Sequence, residues 1–171
     1  MTSLSRVAAL VIALVIFVLD RLTKMWIERN VSVYDTYNVI PGLFNIVHTK
    51  NKGAAFGLFA EADSSIRTVL LVCVSLAVLV FICVSLLVPS RSGFVSTRPT
   101  LIGLSLVMGG ALGNIYDRIV YGQVTDFLEF YQGEYRFAAF NVADSAITVG
   151  AGLLILDMWR TRERKNVPEA H

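Results

Sequence analysis

The chain has 171 residues, 55% of them hydrophobic and 16% charged, with 15 Lys and Arg against 13 Asp and Glu. Its mean hydropathy of +0.63 is too high for an ordinary soluble domain, and its length is too short for several domains. The sequence predicts a single membrane domain over residues 1–171, an all-α integral membrane protein with four transmembrane helices and a small β layer, and no nucleic-acid partner is expected.

The first predicted span covers residues 7–26. Val7 to Leu19 is wholly apolar, and the pattern continues past Asp20 to Trp26. Arg6 followed by a short apolar core also fits a cleaved signal peptide. The apolar core runs, however, into Asp20-Arg21-Leu22-Thr23-Lys24 and not into a small-x-small cleavage site, so the segment is expected to stay as a helix.

Residues 27–67 form the first external segment. Within it Val33 to Ile40 and Leu43 to Thr49 are rich in β-formers and flank Pro41-Gly42, which suits a type II turn because proline fixes φ and glycine accepts positive φ. The second span, 68–90, contains no charged residue, and neither does the third, 99–116. The second external segment, 117–137, starts another hairpin: Val124 to Tyr131 turns near Gln132-Gly133 and returns through Tyr135 to Phe140. The fourth span, 138–159, is interrupted only by Asp144 and Asp157. Each span is close to the roughly 20 residues a helix needs to cross about 30 Å of hydrocarbon.

Arg160, Arg162, Arg164 and Lys165 in the tail, with Arg91 and Arg98 between the second and third spans, place both termini in the cytoplasm. The first external segment opposes this, because Arg21, Lys24, Arg29, Lys50, Lys52 and Arg67 lie in or beside it, accompanied by acids.

Helical rise makes the polar positions informative. At about 1.5 Å per residue, Asp20 lies roughly 21 Å above Arg6, Asn114 roughly 24 Å above Arg98, and Asp144 roughly 22 Å above Trp159. Three helices thus carry a polar side chain at one level near the outer face of the hydrocarbon. An ionisable group inside a span costs at least roughly 2.5 to 3.5 kcal/mol and usually faces a bundle interior or a water-filled cavity. The bland account of Asp144 is a cap at the start of its helix. For Asp20 it is an ion pair with Lys24 four residues on. Gly109 and Gly113 form a small-xxx-small face, which signifies close helix packing. Arg118 near the boundary could bind a carbonyl or carboxylate, but by itself it suits snorkelling to headgroups better.

Several chemistries are poorly served. The histidines are His48, which reads as a surface residue, and His171 in the tail. Cys73 and Cys83, about 15 Å apart along one helix, are too distant for a disulfide and read as core filler. A serine–lysine pair could draw on Ser105, Ser145 and Lys24, but Ser105 lies below the polar layer and Ser145 has no nearby base in the sequence. Acids remain. Asp126 in Gln123-Val124-Thr125-Asp126-Phe127 leads back toward Asp144 through the second hairpin. Two carboxylates in contact share a proton; one takes a proton from water while the other polarises a carbonyl. A proton relay through Asp20, Asp126 and Asp144 in a transporter, or acids that only settle helix packing, are the alternatives.

The sequence resembles the lipoprotein signal peptidases, the type II signal peptidases of bacteria. The blocks that carry the resemblance are LDRLTK with Asp20 and Lys24, NKGAAFG from Asn51 to Gly57, GGALGNIYDR from Gly109 to Arg118, VTDF around Asp126, and FNVADS from Phe140 to Ser145. It implies an aspartic endopeptidase of the cell inner membrane that removes the signal peptide from diacylglyceryl-modified prolipoproteins, cutting immediately before the lipidated cysteine. Asp126 and Asp144 would be the catalytic dyad. Asn51, Gly53, Asn114, Arg118 and Asn141 would line the site, with Asp20 and Lys24 in support and neither metal nor cofactor. The resemblance further implies a periplasmic β-cradle with the active site near the periplasmic face, surrounding membrane lipids, inhibition by globomycin-type cyclic peptides, and a monomer.

Overall fold

The computed structural model describes residues 3–53, 64–87 and 97–165. Its elements in chain order are α1 (Ser3–Asn30), β1 (Thr36–Ile40), β2 (Phe44–Asn51), α2 (Ser64–Leu87), α3 (Arg98–Tyr121), β3 (Val124–Gln132), β4 (Tyr135–Arg136) and α4 (Val142–Lys165). Three helical stretches, Thr68–Leu86, Arg98–Tyr121 and Val142–Thr161, are long and apolar enough to cross a membrane. Outward-facing Val69, Leu70, Val74, Val80 and Phe81 on α2 and Val149, Ile155 and Leu156 on α4 leave an apolar surface that water would not tolerate and lipid would.

Local chemistry sets the helix ends. Thr97 caps α3 by accepting from the Thr100 amide at 3.2 Å, with a proline in the first turn. The same helix stops where Gly122, at φ 69°, bonds back to Arg118 O. It therefore runs five residues past the predicted end at 116 and keeps Arg118 in its last turn. Helix α4 starts at Val142, four residues later than predicted, because the chain before it is still pairing with the sheet: the Phe140 amide donates to Leu128 O at 2.9 Å. Helix α1 continues to Asn30, and α2 begins at Ser64. Residues 88–90 of the second predicted span, and Ala54 to Gly57 of the NKGAAFG block, lie outside the described residues.

The two hairpins are joined into one antiparallel sheet in the order β1-β2-β3-β4. The Leu43 amide closes on Ile40 O at 3.0 Å across Pro41-Gly42, with Gly42 at φ 81°, the hallmark of a type II turn. The return of the second hairpin is shorter than the sequence suggests. Only Tyr135 and Arg136 form a ladder, after which Phe137, donating to Phe130 O, and Phe140, bonded to Phe127 and Leu128, hold the chain to β3.

Helix α3 is the centre of the bundle, and its glycines explain how closely its neighbours approach. A Cβ on Gly109 would lie 2.6 Å from Ala13 O of α1, and one on Gly110 would lie 2.4 Å from Ala143 O of α4. Without side chains there, the helices meet backbone to backbone. Ala9, Ile82, Leu86, Leu104 and Val107 fill the middle of the bundle, while Ile27, Val31 and Phe127 fasten the sheet to the end of α1.

Cys73 and His48 sit otherwise than their sequence suggests. Cys73 is exposed on the outer face of α2 and fills no core. His48 is buried, because β2 folds onto the end of α1 and its Nδ1 lies 2.7 Å from Val31 O.

Candidate active site

The sheet supplies the first acid. In the β2–β3 ladder Asn51 lies opposite Val124, so Asp126, two residues along β3, shares the face of Asn51. Asn51 Nδ2 donates to Asp126 Oδ2 at 2.9 Å, while Asn51 Oδ1 accepts from the Gly53 amide at 2.7 Å. Gly53 thus fixes which end of the Asn51 amide faces the acid. From the other side Asn141 Nδ2 donates to Asp126 Oδ1 at 2.6 Å.

Asn141 also joins the two acids. It is the cap of α4: its Oδ1 accepts from the Asp144 amide at 2.9 Å. Asp144 is therefore capped, not the cap, and its side chain is left to accept from Asn114 Nδ2 at 2.7 Å. Asp126 and Asp144, together with Asn51, Arg118 and Ser145, line one cavity of ≈ 540 Å³. Phe130, Phe137, Ala138, Ala139, Phe140 and Val149 form its apolar wall, and Phe137 and Val149 are more than half exposed, so the cavity opens at the surface of the bundle. Arg118 Nη1 donates to Asn114 O at 3.2 Å, and its buried Nε has no partner among the described residues. It faces the cavity, where the sequence alone suggested headgroups.

Asp20 and Lys24 stand behind this cavity and do not line it. Both side chains are fully buried and lie 2.7 Å apart. Asp20 Oδ1 accepts from the Ala143 amide at 2.9 Å, so an acid on α1 ties down the first turn of α4. Gly113 makes room for it, since a Cβ there would lie 2.5 Å from Asp20 Oδ2.

Sequence reasoning missed Asp117 and Arg21. Asp117 is buried, pairs with Lys24 at 2.7 Å and also binds Arg21, which lies 4.6 Å over the Tyr116 ring. The signal was present, because Asp117 is three residues after Asn114 and so on the same helix face. On the opposite face of the sheet, Lys50 reaches Glu28 at 2.5 Å and Thr125 at 2.9 Å, which anchors β2 and β3 to α1. The serine–lysine alternative finds no geometry: Ser145 donates to Asn141 O at 2.9 Å, and Lys24 is engaged by Asp20 and Asp117. Among the described residues no three His, Cys, Asp or Glu side chains converge to hold a metal.

Burial pushes the Asp126 carboxyl up from the ordinary carboxylate range to about 6, and the neighbouring Asp144 charge pushes the same way; the amide bonds from Asn51 and Asn141 and the Lys24 charge oppose them. A carboxyl raised on folding favours the folded state fully below its unfolded value and loses that contribution as pH rises through about 6. Unfolding in detergent should show the chain losing stability on the order of 3 kcal/mol from about pH 4 to about pH 7 through this group. The decrement should be missing from Asp126→Asn.

Apolar helices surround a cavity lined by two amide-held carboxylates, Asp126 buried and Asp144 half-buried, an arrangement that fits a membrane-embedded enzyme. Solved structures with this fold are of that class. One bacterial membrane enzyme, determined by the in meso method at 2.3 Å resolution, superposes with a TM-score of 0.79 at 27% identity, covering 96% of this chain and 94% of that one. A second, at 1.9 Å resolution, gives a TM-score of 0.72 at 27% identity over 88% of this chain and 92% of that one. The profile of the family described as signal peptidase (SPase) II matches residues 12–160. A lipoprotein signal peptidase of Solibacter usitatus is 48% identical over 153 residues, covering 90% of this chain and 91% of the relative. One of Maridesulfovibrio salexigens is 41% identical over 152 residues, covering 89% and 95%. The chain belongs to the signal peptidase II family, a family of bacterial membrane proteases.

Proposed function

We propose that the chain is an aspartic endopeptidase that cleaves the signal peptide from diacylglyceryl-modified prolipoproteins immediately before the lipidated cysteine, with Asp126 and Asp144 as its catalytic dyad. The observation that carries the reading is the pair of acids in one cavity, held by three asparagine amides and, among the described residues, by no charged partner within hydrogen-bond distance. Asp126, which keeps its proton to a higher pH than an ordinary carboxyl, supplies the acid that polarises the scissile carbonyl. Asp144 takes a proton from the attacking water. The amide nitrogen then leaves with a proton returned by the dyad, so no covalent intermediate forms. Asn51, Asn114 and Asn141 hold the carboxylates, Gly53 orients Asn51, and the Arg118 guanidinium in the cavity wall suits a substrate carbonyl.

The same reading counts α1 as a fourth membrane span within one membrane domain. Supporting it, Val7, Leu10, Val11, Leu14, Val15, Val18 and Leu22 are outward-facing along α1, and Trp26 follows at its outer end. Val7 to Trp26 rises roughly 28 Å, about the thickness of the hydrocarbon. Cytoplasmic termini follow from the tail, where Arg160 is exposed. Of the opposing bases, Arg21, Lys24 and Lys50 are occupied by Asp117, Asp20 and Glu28. The site then lies near the periplasmic face of the inner membrane, where a substrate with two acyl chains keeps its scissile bond. The apolar wall beside the acids suits those chains, and globomycin-type peptides are expected to compete there. A single chain holds the whole dyad, which agrees with a monomer.

A proton relay is less well supported, because below the acids the bundle is filled by Leu104, Val107, Ile82 and Ala9. The test is purified protein in detergent with a lipidated precursor. Release of the signal peptide, undiminished by EDTA, is expected. Absence of cleavage by folded protein, or cleavage that EDTA stops and a divalent metal restores, would overturn the reading.

A further inference from the structure

An asparagine side chain in a catalytic site must face the right way, and its two ends differ only in chemistry. Asn114 places Nδ2 on Asp144 Oδ1 at 2.7 Å and turns Oδ1 toward Lys24 Nζ at 3.3 Å. A lysine ammonium can only donate, and an ionised carboxylate can only accept. With Lys24 in place the reverse orientation would set two donors against each other and an amide oxygen against a carboxylate. Asn141 Nδ2 is a longer second donor to Asn114 Oδ1 at 3.5 Å, but it is already held by Asp126 at 2.6 Å.

Lys24 reaches Asp144 by a second route as well. Its other contacts are Asp20 Oδ2 and Asp117 Oδ2, each at 2.7 Å, and Asp20 Oδ1 holds the amide of Ala143, the residue before Asp144. Lys24 has no exposed surface, and the cavity wall does not include it. If charge balance alone were needed, Asp20 and Asp117 could be met by any buried cation; the contact with Asn114 Oδ1 has no part in that balance.

We infer that Lys24 is a positioning residue: it locks the Asn114 amide in the orientation that donates to Asp144, and through Asp20 it fixes the first turn of the helix that carries Asp144. The inference rests on the proposed dyad. Lys24 touches no substrate, so its removal should lower kcat and leave KM nearly alone.

Lys24→Met by itself leaves Asp20 buried without a cation and Asp117 with Arg21 alone, and it is the variant at risk of not folding. The second variant is Asp20→Asn/Lys24→Met. It keeps the network neutral, leaves Arg21 on Asp117, and keeps an oxygen for the Ala143 amide. In the precursor-cleavage assay this double variant should fold, lose roughly 10- to 100-fold in kcat, and change KM by less than about threefold. Placed on Asn114→Ala, the same double substitution should cost little more, because the amide it orients is already gone.

Wild-type kcat in the folded double variant would overturn the inference. So would losses that multiply with Asn114→Ala, or a double variant that no longer folds, since Lys24 would then serve the fold alone. Asp144→Asn in the same assay separates this inference from the reading beneath it. Persisting cleavage by Asp144→Asn removes the dyad itself, whereas an inactive Asp144→Asn beside a normal Lys24 variant removes only the positioning role.

Discussion

Asp126→Asn and Asp144→Asn are each expected to abolish signal-peptide release, by at least about a thousandfold, while leaving the protein folded in the membrane. An amide can neither take a proton from water nor give one to a carbonyl oxygen at neutral pH, so each replacement removes one half of the exchange. Stability should move little. Above about pH 6 the buried Asp126 carboxylate costs on the order of 3 kcal/mol, which Asn removes. Against that, the new NH2 must face one of two donors, since both oxygens of Asp126 accept from asparagine amides. An unmet donor costs about 1–3 kcal/mol. The two contributions are of similar size and opposite sign. Cleavage and thermal unfolding measured on the same preparations are the check, and near-wild-type cleavage by either variant would remove the assignment.

Gly110→Ala should have the largest effect on the bundle itself. The new Cβ would meet Ala143 O at 2.4 Å and Ile147 Cγ1 at 2.9 Å. The oxygen is backbone at the first turn of α4, and it cannot swing aside as a side-chain end could. Its neighbouring amide is held by Asp20, and the turn is capped by Asn141. Helices α3 and α4 must therefore separate. Overpacking of this kind costs typically about 1–3 kcal/mol and sometimes more. The same movement draws Asn114 away from Asp144, so cleavage should fall by more than the loss of folded protein explains. Gly152→Ala is the control: among the described residues nothing lies within 4 Å of its Cβ position, and it should be neutral or slightly stabilising. Equal stability of the two variants would mean that the close approach at Gly110 is unimportant.

Much of this protein was legible in the order of its residues. The apolar runs are continuous, and a helix is the simplest structure that satisfies its own backbone in lipid, so the helices could be read from hydropathy. The type II turn at Pro41-Gly42 was equally plain, because φ preferences are local. Counting helical rise put Asp20, Asn114 and Asp144 at one level, and the bundle does bring Asn114 to Asp144 and Asp20 to the amide beside it.

Tertiary structure decided what those residues do. Registry between β2 and β3, which are far apart in the chain, sets Asn51 on the same face as Asp126, and no local preference encodes that pairing. The start of α4 depended on Phe140 still bonding to Leu128, which made Asn141 the cap and released the Asp144 side chain for the cavity. Arg21 counted only as a base beside the first external segment, and Asp117 had no assigned role, until the packing of α1 on α3 paired them. Sequence by itself determined which residues are apolar, which turn, and which acids are costly to bury. Only the fold determined which donors meet those acids, because hydrogen bonds between distant segments depend on where helices and strands come to rest, and a glycine-lined contact fixes that to within an ångström or so.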